Sequence, residues 1–241
     1  MGTTAERPAW AKDGDEKRRY VREMFTDIAP TYDLLNSLMT FRLHHRWRAA
    51  AVRAIELKPG DSALDLCTGT GDFLPQLRKA VGVGGTVVGL DFCHAMLAKA
   101  REKFGDGFHL GVGDACRLPL AGSCLDAVTV GWGLRNVPDV EAVLSEAARV
   151  LKPGGRFVTL DSARPRTKIV GRASEAVFQR CVPLLGRLFG KAEAYSYLPK
   201  STARCIGRED QKSALEAAGF ADVQYRDFFF GNICMHWGTK R

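Results

Sequence analysis

The seven cysteines of the chain, at positions 67, 93, 116, 124, 181, 205 and 234, form no C-x-x-C pair. An odd, scattered set excludes a disulfide scaffold, gives no reason for structural zinc and fits a reducing, cytoplasmic setting. No His/Cys/Asp/Glu cluster has the spacing of metal ligands, so no metal is expected. An uncharged apolar run of about 18 residues is also missing, which argues against a transmembrane helix. The opening Met-Gly-Thr-Thr-Ala-Glu-Arg-Pro has no apolar stretch of leader type, and Glu6 stands where a myristoylation signal wants Ser or Thr. Internal repeats and low-complexity segments are lacking too. What remains is a chain of 241 residues, 46% hydrophobic and 26% charged, the profile of one large globular domain.

The net charge of +8 is unevenly distributed. Residues 164–208 hold ten Lys or Arg against Glu175 and Glu193, and the rest of the chain balances. Within this block Ile169, Val170, Ala173, Val177, Cys181, Leu184, Leu185 and Leu188 recur at helical steps, with Pro183 as a kink or divide. Three readings stand side by side. The block is a solvated helix face, a basic amphipathic lid resting on anionic membrane, or a nucleic-acid surface. Its aromatics are only Phe178, Phe189, Tyr195 and Tyr197, which disfavours base stacking, so no nucleic-acid partner is expected.

Residues 1–16 are polar and read as a flexible terminus. Residues 17–58 read as a helical cap, with Val21, Met24, Phe25 and Ile28 followed by Trp47, Ala50, Ala51, Ala54 and Ile55. From Asp61 onward, short apolar runs at 63–66, 86–90, 108–112, 126–130 and 157–160 alternate with helix-like stretches at 73–80, 95–104 and 140–151. Strands alternating with helices of this length predict an α/β, doubly wound, mostly parallel sheet. A helix over 209–218 stopped by Gly219, then runs at 223–229 and 233–237 around Gly231-Asn232, predict a closing antiparallel pair.

The first strand leads into Asp65-Leu66-Cys67-Thr68-Gly69-Thr70-Gly71-Asp72. A glycine-rich turn between strand and helix brings backbone amides close to a ligand. Leu74 occupies the third glycine position of a dinucleotide fingerprint, which disfavours a pyrophosphate. Asp91, ending the second strand, is placed to bind both ribose hydroxyls, and Asp114 in Gly113-Asp114-Ala115, after the third, to accept from an adenine amine. Gly69, Thr70, Gly71, Asp91, Asp114, Ala115 and Gly131 form the candidate cofactor set, Gly131 through its backbone alone.

These residues resemble the class I S-adenosylmethionine-dependent methyltransferases, with Cys67 standing where many members have the first glycine. Three stretches narrow the likeness. Tyr32-Asp33-Leu34-Leu35-Asn36 with Met39-Thr40, His44 and Trp47 is similar to a signature of the ubiquinone/menaquinone biosynthesis C-methyltransferases. Gly133-Leu134-Arg135-Asn136-Val137 matches the same family, as does Arg149-Val150-Leu151-Lys152-Pro153-Gly154-Gly155, whose Pro-Gly-Gly reads as a turn. Tyr195, Tyr197, Leu198, Ser201, His236 and Gly238 complete the likeness, over roughly residues 20–240.

The resemblance implies one Rossmann-like methyltransferase domain over 17–241. Its sheet would have seven strands, one of them antiparallel, with N-terminal helices and a helical lid insert at 164–208. It implies S-adenosyl-L-methionine as cofactor and C-methylation of a polyprenyl quinol, the naphthoquinol demethylmenaquinol ahead of the ubiquinone-pathway benzoquinol. Arg135, Asn136, Tyr32 and His44 would surround the quinol: Arg135 as a fixed positive charge for the phenolate, Asn136 and Tyr32 orienting the hydroxyl, and His44 a candidate proton acceptor. A polyprenyl tail implies peripheral contact with the inner face of the membrane through 164–190. A methyltransferase for another small acceptor and a non-enzymatic cofactor-binding scaffold are the alternatives. The oligomeric state, a homo-oligomer included, is not fixed by the sequence.

Overall fold

The computed structural model describes residues 14–167, 169, 171, 180 and 206–241. Most of the insert expected over 164–208 lies outside them, and so do Tyr195, Tyr197, Leu198 and Ser201. Three helices come first: α1 (Gly14–Ile28), α2 (Tyr32–Thr40) and α3 (Leu43–Ala54). α1 begins within the polar stretch, at Gly14, with Asp15 and Glu16 in its first turn, where acids suit the helix dipole.

Seven strands then form one sheet: β1 (Ser62–Leu66), β2 (Thr86–Asp91), β3 (His109–Val112), β4 (Leu125–Gly131), β5 (Leu151–Ser162), β6 (Phe220–Phe228) and β7 (Ile233–Lys240). Their order is β3-β2-β1-β4-β5-β7-β6. β7 pairs antiparallel with both β5 and β6, and every other pairing among the described residues is parallel, so β7 is the single reversed strand there. The expected runs and the observed strands share their centres, but β5 starts six residues earlier than the apolar run suggests. Leu151 pairs with Leu125, and pairing resumes only at Arg156 with Ala127. The intervening Lys-Pro-Gly-Gly turn, with Gly154 at φ 77°, bulges out of an otherwise continuous strand.

Helices α4 (Leu74–Val81), α5 (His94–Phe104), α6 (Val140–Val150) and α7 (Arg208–Ala217) fill the connections. Asp139 caps α6 by accepting the Ala142 N–H at 2.9 Å. The period-2 alternation of the strands sorts the core into two layers. Ala63, Ala127 and Val158 face one way and pack with Trp47, Ala51 and Val52 of α3 and Leu74, Leu77 and Val81 of α4. Leu64, Leu66, Val128 and Phe157 face the other way and pack with Val143, Leu144 and Ala147 of α6 and Leu215 of α7. The strand order reverses between β1 and β4. A crevice therefore opens at their carboxyl ends, where ligands of open α/β sheets bind. α1 and α2 join the body at that rim, through Val21, Met24, Ile28 and Leu35.

Candidate active site

A cavity of about 460 Å³ occupies the carboxyl rim. Its floor is the end of β1 and the turn after it, through Leu66, Cys67 and Gly69. Asp91 and Asp114 stand on one side, Gly131, Trp132, Gly133 and Asn136 on the other, and Arg18, Arg22, Phe25 and Tyr32 close it from α1 and α2.

The acid after β2 is prepared for donors. One Asp91 oxygen accepts the Gly69 N–H and the other the Cys93 N–H, each at 2.8 Å. The carboxylate keeps acceptor capacity beyond them. Burial pushes this carboxyl up to about 6 against those two amides and that of Phe92. At Asp114 one oxygen accepts the Cys116 N–H at 2.9 Å, and the other meets Arg18 of α1 at 2.9 Å. Lys17 donates to the Val137 carbonyl at 2.6 Å, so α1 is tied to both sides of the crevice.

Of the candidate cofactor residues, Gly69, Asp91, Asp114, Ala115 and Gly131 line the cavity, whereas Thr70 and Gly71 do not. Their work is to build the turn. Thr70 donates to Asp33 of α2 at 2.5 Å. Gly71 sits at φ 82°, and a Cβ there would meet Leu74 and Phe104 at 3.0 Å. Asp65 lies under the turn, accepting from Thr68 and Thr129, each at 2.6 Å, with burial pushing it up to about 7. At Gly131 a Cβ would stand 2.7 Å from the buried Phe73 ring, so the close packing of that ring leaves no room for a side chain.

Of the candidate catalytic residues, Tyr32 and Asn136 line the cavity, whereas Arg135 and His44 do not. Tyr32 is hydrogen bonded to Asn36; burial raises its phenol pKa, with Arg48 and Arg135 pulling the other way. Asn136 donates to the Trp132 carbonyl at 3.0 Å. The Arg135 side chain is 8% exposed and forms an ion pair with Asp161 at the end of β5. The guanidinium thus stands behind the cavity wall, engaged by Asp161, rather than lining the cavity. His44 has Nδ1 2.5 Å from the Thr40 hydroxyl and Nε2 3.7 Å from Asp72. Burial, then the nearby Arg48, pushes it down to about 4, so it is neutral at pH 7.

A charge cluster behind Tyr32, buried at Arg48 and Asp72 and reaching the surface at Lys103 and Asp33, has no counterpart in the sequence reading. Asp72 holds Lys103 at 2.7 Å and Arg48 at 3.5 Å, and Lys103 also holds Asp33 at 2.7 Å. Burial raises the Asp72 carboxyl, but Arg48 and Lys103 outweigh it and keep it below the ordinary carboxylate range. Arg48 is stacked 4.7 Å from the centre of the Trp132 ring and 5.6 Å from that of Phe73. Helical spacing in α3 could have put Arg48 beside the buried Trp47 side, but nothing in sequence connects it to Asp72 or Trp132. His44, His45 and Asp72 also bring potential ligand atoms within 4.8 Å of one another, a grouping that ligand spacing did not reveal. Arg48 and Lys103 already share that carboxylate and oppose an added cation.

The arrangement suits a nucleoside-bearing ligand. Backbone amides and a glycine at φ 56° allow close approach at Gly69, the Asp91 carboxyl stands beside it, and a wide apolar wall follows. Comparison with known proteins agrees. The chain is 38% identical over 231 residues to the demethylmenaquinone methyltransferase of Staphylococcus saprophyticus, covering 95% of this chain and 99% of that protein. Identity to the demethylmenaquinone methyltransferase of Desulfitobacterium hafniense is also 38%, over 94% of this chain and 92% of the other. Among solved structures, a SAM-dependent methyltransferase from Thermotoga maritima superposes with a TM-score of 0.66 at 21% identity, covering 92% of this chain and all of the other. Phosphoethanolamine N-methyltransferase 2 of Haemonchus contortus, in complex with S-adenosyl-L-methionine, gives 0.60 at 16% identity, covering 81% of this chain and 52% of that one. At such identities the structures speak for the fold alone. The description "ubiE/COQ5 methyltransferase family" matches residues 12–240, and the chain belongs to that family.

Proposed function

We propose that the protein methylates a ring carbon of a polyprenyl quinol, converting demethylmenaquinol to menaquinol, with S-adenosyl-L-methionine as donor. The observation that carries this reading is the single cavity wall running from Gly69, Asp91 and Asp114 to Tyr32, Trp132 and Asn136. One end offers acceptors for a nucleoside, and the other an aromatic and amide surface for a ring with hydroxyls. The names of the full-length relatives supply the naphthoquinol preference.

The residues present fit the cofactor. Asp91 carries two oxygens with acceptor capacity to spare, and its raised pKa means that ligand donors would relieve its desolvation. When bound, S-adenosyl-L-methionine supplies an electrophilic methyl group on a sulfonium. Gly69 and Asp91 would fix the nucleoside, and Asp114 and Ala115 the base.

The acceptor is the harder partner, because an aromatic carbon is a poor nucleophile until its neighbouring hydroxyl gives up a proton. A phenol titrates near about 10, and each unit of lowering is worth about 1.4 kcal/mol. Tyr32 and Asn136 would orient that hydroxyl. Arg135 and Arg48, whose charges both act on the Tyr32 phenol, would supply the positive potential that favours the phenolate. Arg135 would do so without touching the ring, and Asp161 would hold it in place. His44 is too weak a base at neutral pH to take the proton itself.

Among the described residues no helix is long and apolar enough to cross a membrane. A polyprenyl tail is stabilised in lipid by about 0.8 kcal/mol per CH₂. The enzyme would therefore collect its substrate at the cytoplasmic face of the membrane, with the basic 164–190 segment as one contact. The decisive experiment is methyl transfer to reduced demethylmenaquinone and, side by side, to the demethylated benzoquinol analogue. Transfer to the naphthoquinol in preference supports the reading. Transfer to neither quinol, with the cofactor bound normally, would overturn it.

A further inference from the structure

α2 is apolar on two sides. Leu35 points inward and is fully buried, but Leu34 and Leu38 are 51% and 47% exposed. Phe41, the left-handed residue that ends the helix three positions after Leu38, is 78% exposed. A second apolar projection comes from the turn between β6 and β7, where Phe229 is partly exposed and Phe230 is 80% exposed.

The two projections share the carboxyl rim of the sheet. β6 runs parallel to β1 through β5, so its end at Phe228 lies on the cavity side. α3 leads from Phe41-Arg42 back to the opposite edge, where β1 begins, so Phe41 lies on the cavity side too. Aromatic contacts tie this rim together. The Trp47 ring of α3 stands 6.4 Å from Trp132, a cavity wall residue, and 5.8 Å from Phe229.

Scattered surface hydrophobics are ordinary. These all stand at one rim of the sheet, and the backbone under the phenylalanines is unfavourable. Phe41 and Arg42 have φ of 51° and 60°, and Phe229 and Phe230 have φ of 48° and 57°. Bulky residues rarely occupy that left-handed region, where glycine or asparagine fits without penalty. Two turns that would be more relaxed with a small residue each present a phenylalanine to solvent instead. The border is basic: Arg42 and Arg46 are exposed at the start of α3, Arg226 lies over the Phe228 ring at 5.2 Å, and Arg166 is exposed nearby. The nearby acid Asp227 is already held by Arg166 and Arg208. An apolar ridge with a cationic fringe matches an anionic lipid surface.

We infer that Leu34, Leu38, Phe41, Phe229 and Phe230 form a docking ridge that enters the headgroup layer of an anionic bilayer and turns the cavity mouth toward the lipid. This deepens the function proposed above, since it rests on a membrane-held substrate. It adds a surface on α2 and the β6–β7 turn to whatever the basic insert contributes. The ridge brings the prenyl chain to the Trp47–Trp132 wall without lifting it through water.

The test compares the full chain with a Phe41→Asn/Phe230→Asn variant. Asparagine tolerates the left-handed backbone, so the variant should melt no lower than the wild type. Cosedimentation is measured with phosphatidylcholine vesicles, with and without phosphatidylglycerol, at low and high salt. The wild type should bind the anionic vesicles, less at high salt, and the variant about tenfold or more weakly. In parallel, methyl transfer to a short-tailed, water-soluble quinol should be unchanged within about twofold, because neither phenylalanine lines the cavity. Equal vesicle binding by both proteins overturns the ridge. So does self-association that the double substitution abolishes while vesicle binding persists, since the ridge is then a contact between copies of the chain. Failure of the wild type to methylate any quinol, with vesicle binding as expected, would count against the proposed function and leave the ridge standing.

Discussion

Replacing Asp91 by asparagine tests the cofactor end of the cavity. The carboxylate takes the Gly69 and Cys93 N–H groups at 2.8 Å, with the Phe92 amide acting on it as well, and keeps acceptor capacity beyond them. Two ribose hydroxyls donating to an ionised carboxylate are worth about 1.5–3 kcal/mol each. Asparagine retains one acceptor oxygen and turns an NH₂ toward either Gly69 or Cys93, so one charged bond is lost and one backbone donor is left facing another. A net loss of about 3 kcal/mol is expected, which weakens S-adenosylmethionine binding about a hundredfold. pH gives an independent handle. In the folded protein this carboxyl stands at about 6 rather than its ordinary 3.8. The protonated form therefore contributes stability that is fully present below about 3.8 and is lost as pH rises through about 6, on the order of 3 kcal/mol in all. Cofactor binding runs the opposite way, since it needs the ionised form. Calorimetric titrations from about pH 5 to about pH 7.5 should show affinity rising with pH and flattening above 6, and the thermal shift given by cofactor should grow across the same window. An Asp91→Asn variant that binds within about threefold of the wild type, or a wild-type affinity independent of pH, would refute the reasoning.

Arg135→Met leaves the half-buried Asp161 without its guanidinium and should lower unfolding stability by about 2–3 kcal/mol in urea titrations. Adding Asp161→Leu should restore most of that stability but not turnover; recovery of both would make the pair purely structural. Gly131→Ala places a methyl 2.7 Å from the Phe73 ring and should cost about 1–3 kcal/mol by overpacking, measured by thermal melts, with Phe73→Leu relieving it. His44 is neutral down to about pH 4, so His44→Gln should leave any inflection of the turnover profile near pH 6–7 where it was. Loss of that inflection would restore His44 as the proton acceptor.

Local chemistry makes much of this fold readable. The alternation of runs such as 63–66 with helical stretches announces parallel β-α units, and Gly219, observed at φ 96°, marks the end of α7 where a glycine stop should be. The apolar run understates β5 because its first pairing residue, Leu151, is separated from the rest by a bulged turn that looks like a loop in one dimension. At the site, acids at successive strand ends can be placed by strand periodicity and connection rules alone, and Asp91 and Asp114 both line the cavity. The missed residues come from elements whose docking no local pattern encodes. Arg18 and Arg22 reach the cavity because α1 folds back across the rim, and Arg48 meets Asp72 and Trp132 across three separate segments. Arg135 shows the opposite limit: its position after β4 is legible, but its partner, Asp161, lies 26 residues further along at the end of the next strand.

Cys67 shows why a motif letter can change while its geometry persists. The position has φ 54°, which favours glycine, and holding a cysteine there costs about 1 kcal/mol or more. The opposing residue accommodates it. A Cβ on Gly133 would stand 2.7 Å from the Cys67 Cβ and 2.9 Å from its sulfur, so the space that a glycine would leave at 67 is left instead by the glycine at 133. Burial, and then Asp91 and Asp65, hold the Cys67 thiol well above its ordinary pKa, so it stays neutral and meets the cavity as a small soft wall rather than as a nucleophile. What the turn must preserve is therefore the distance between β1 and β4 at the floor of the crevice. That distance is set jointly by residues 67 and 133, and a larger side chain at either position would push on the other.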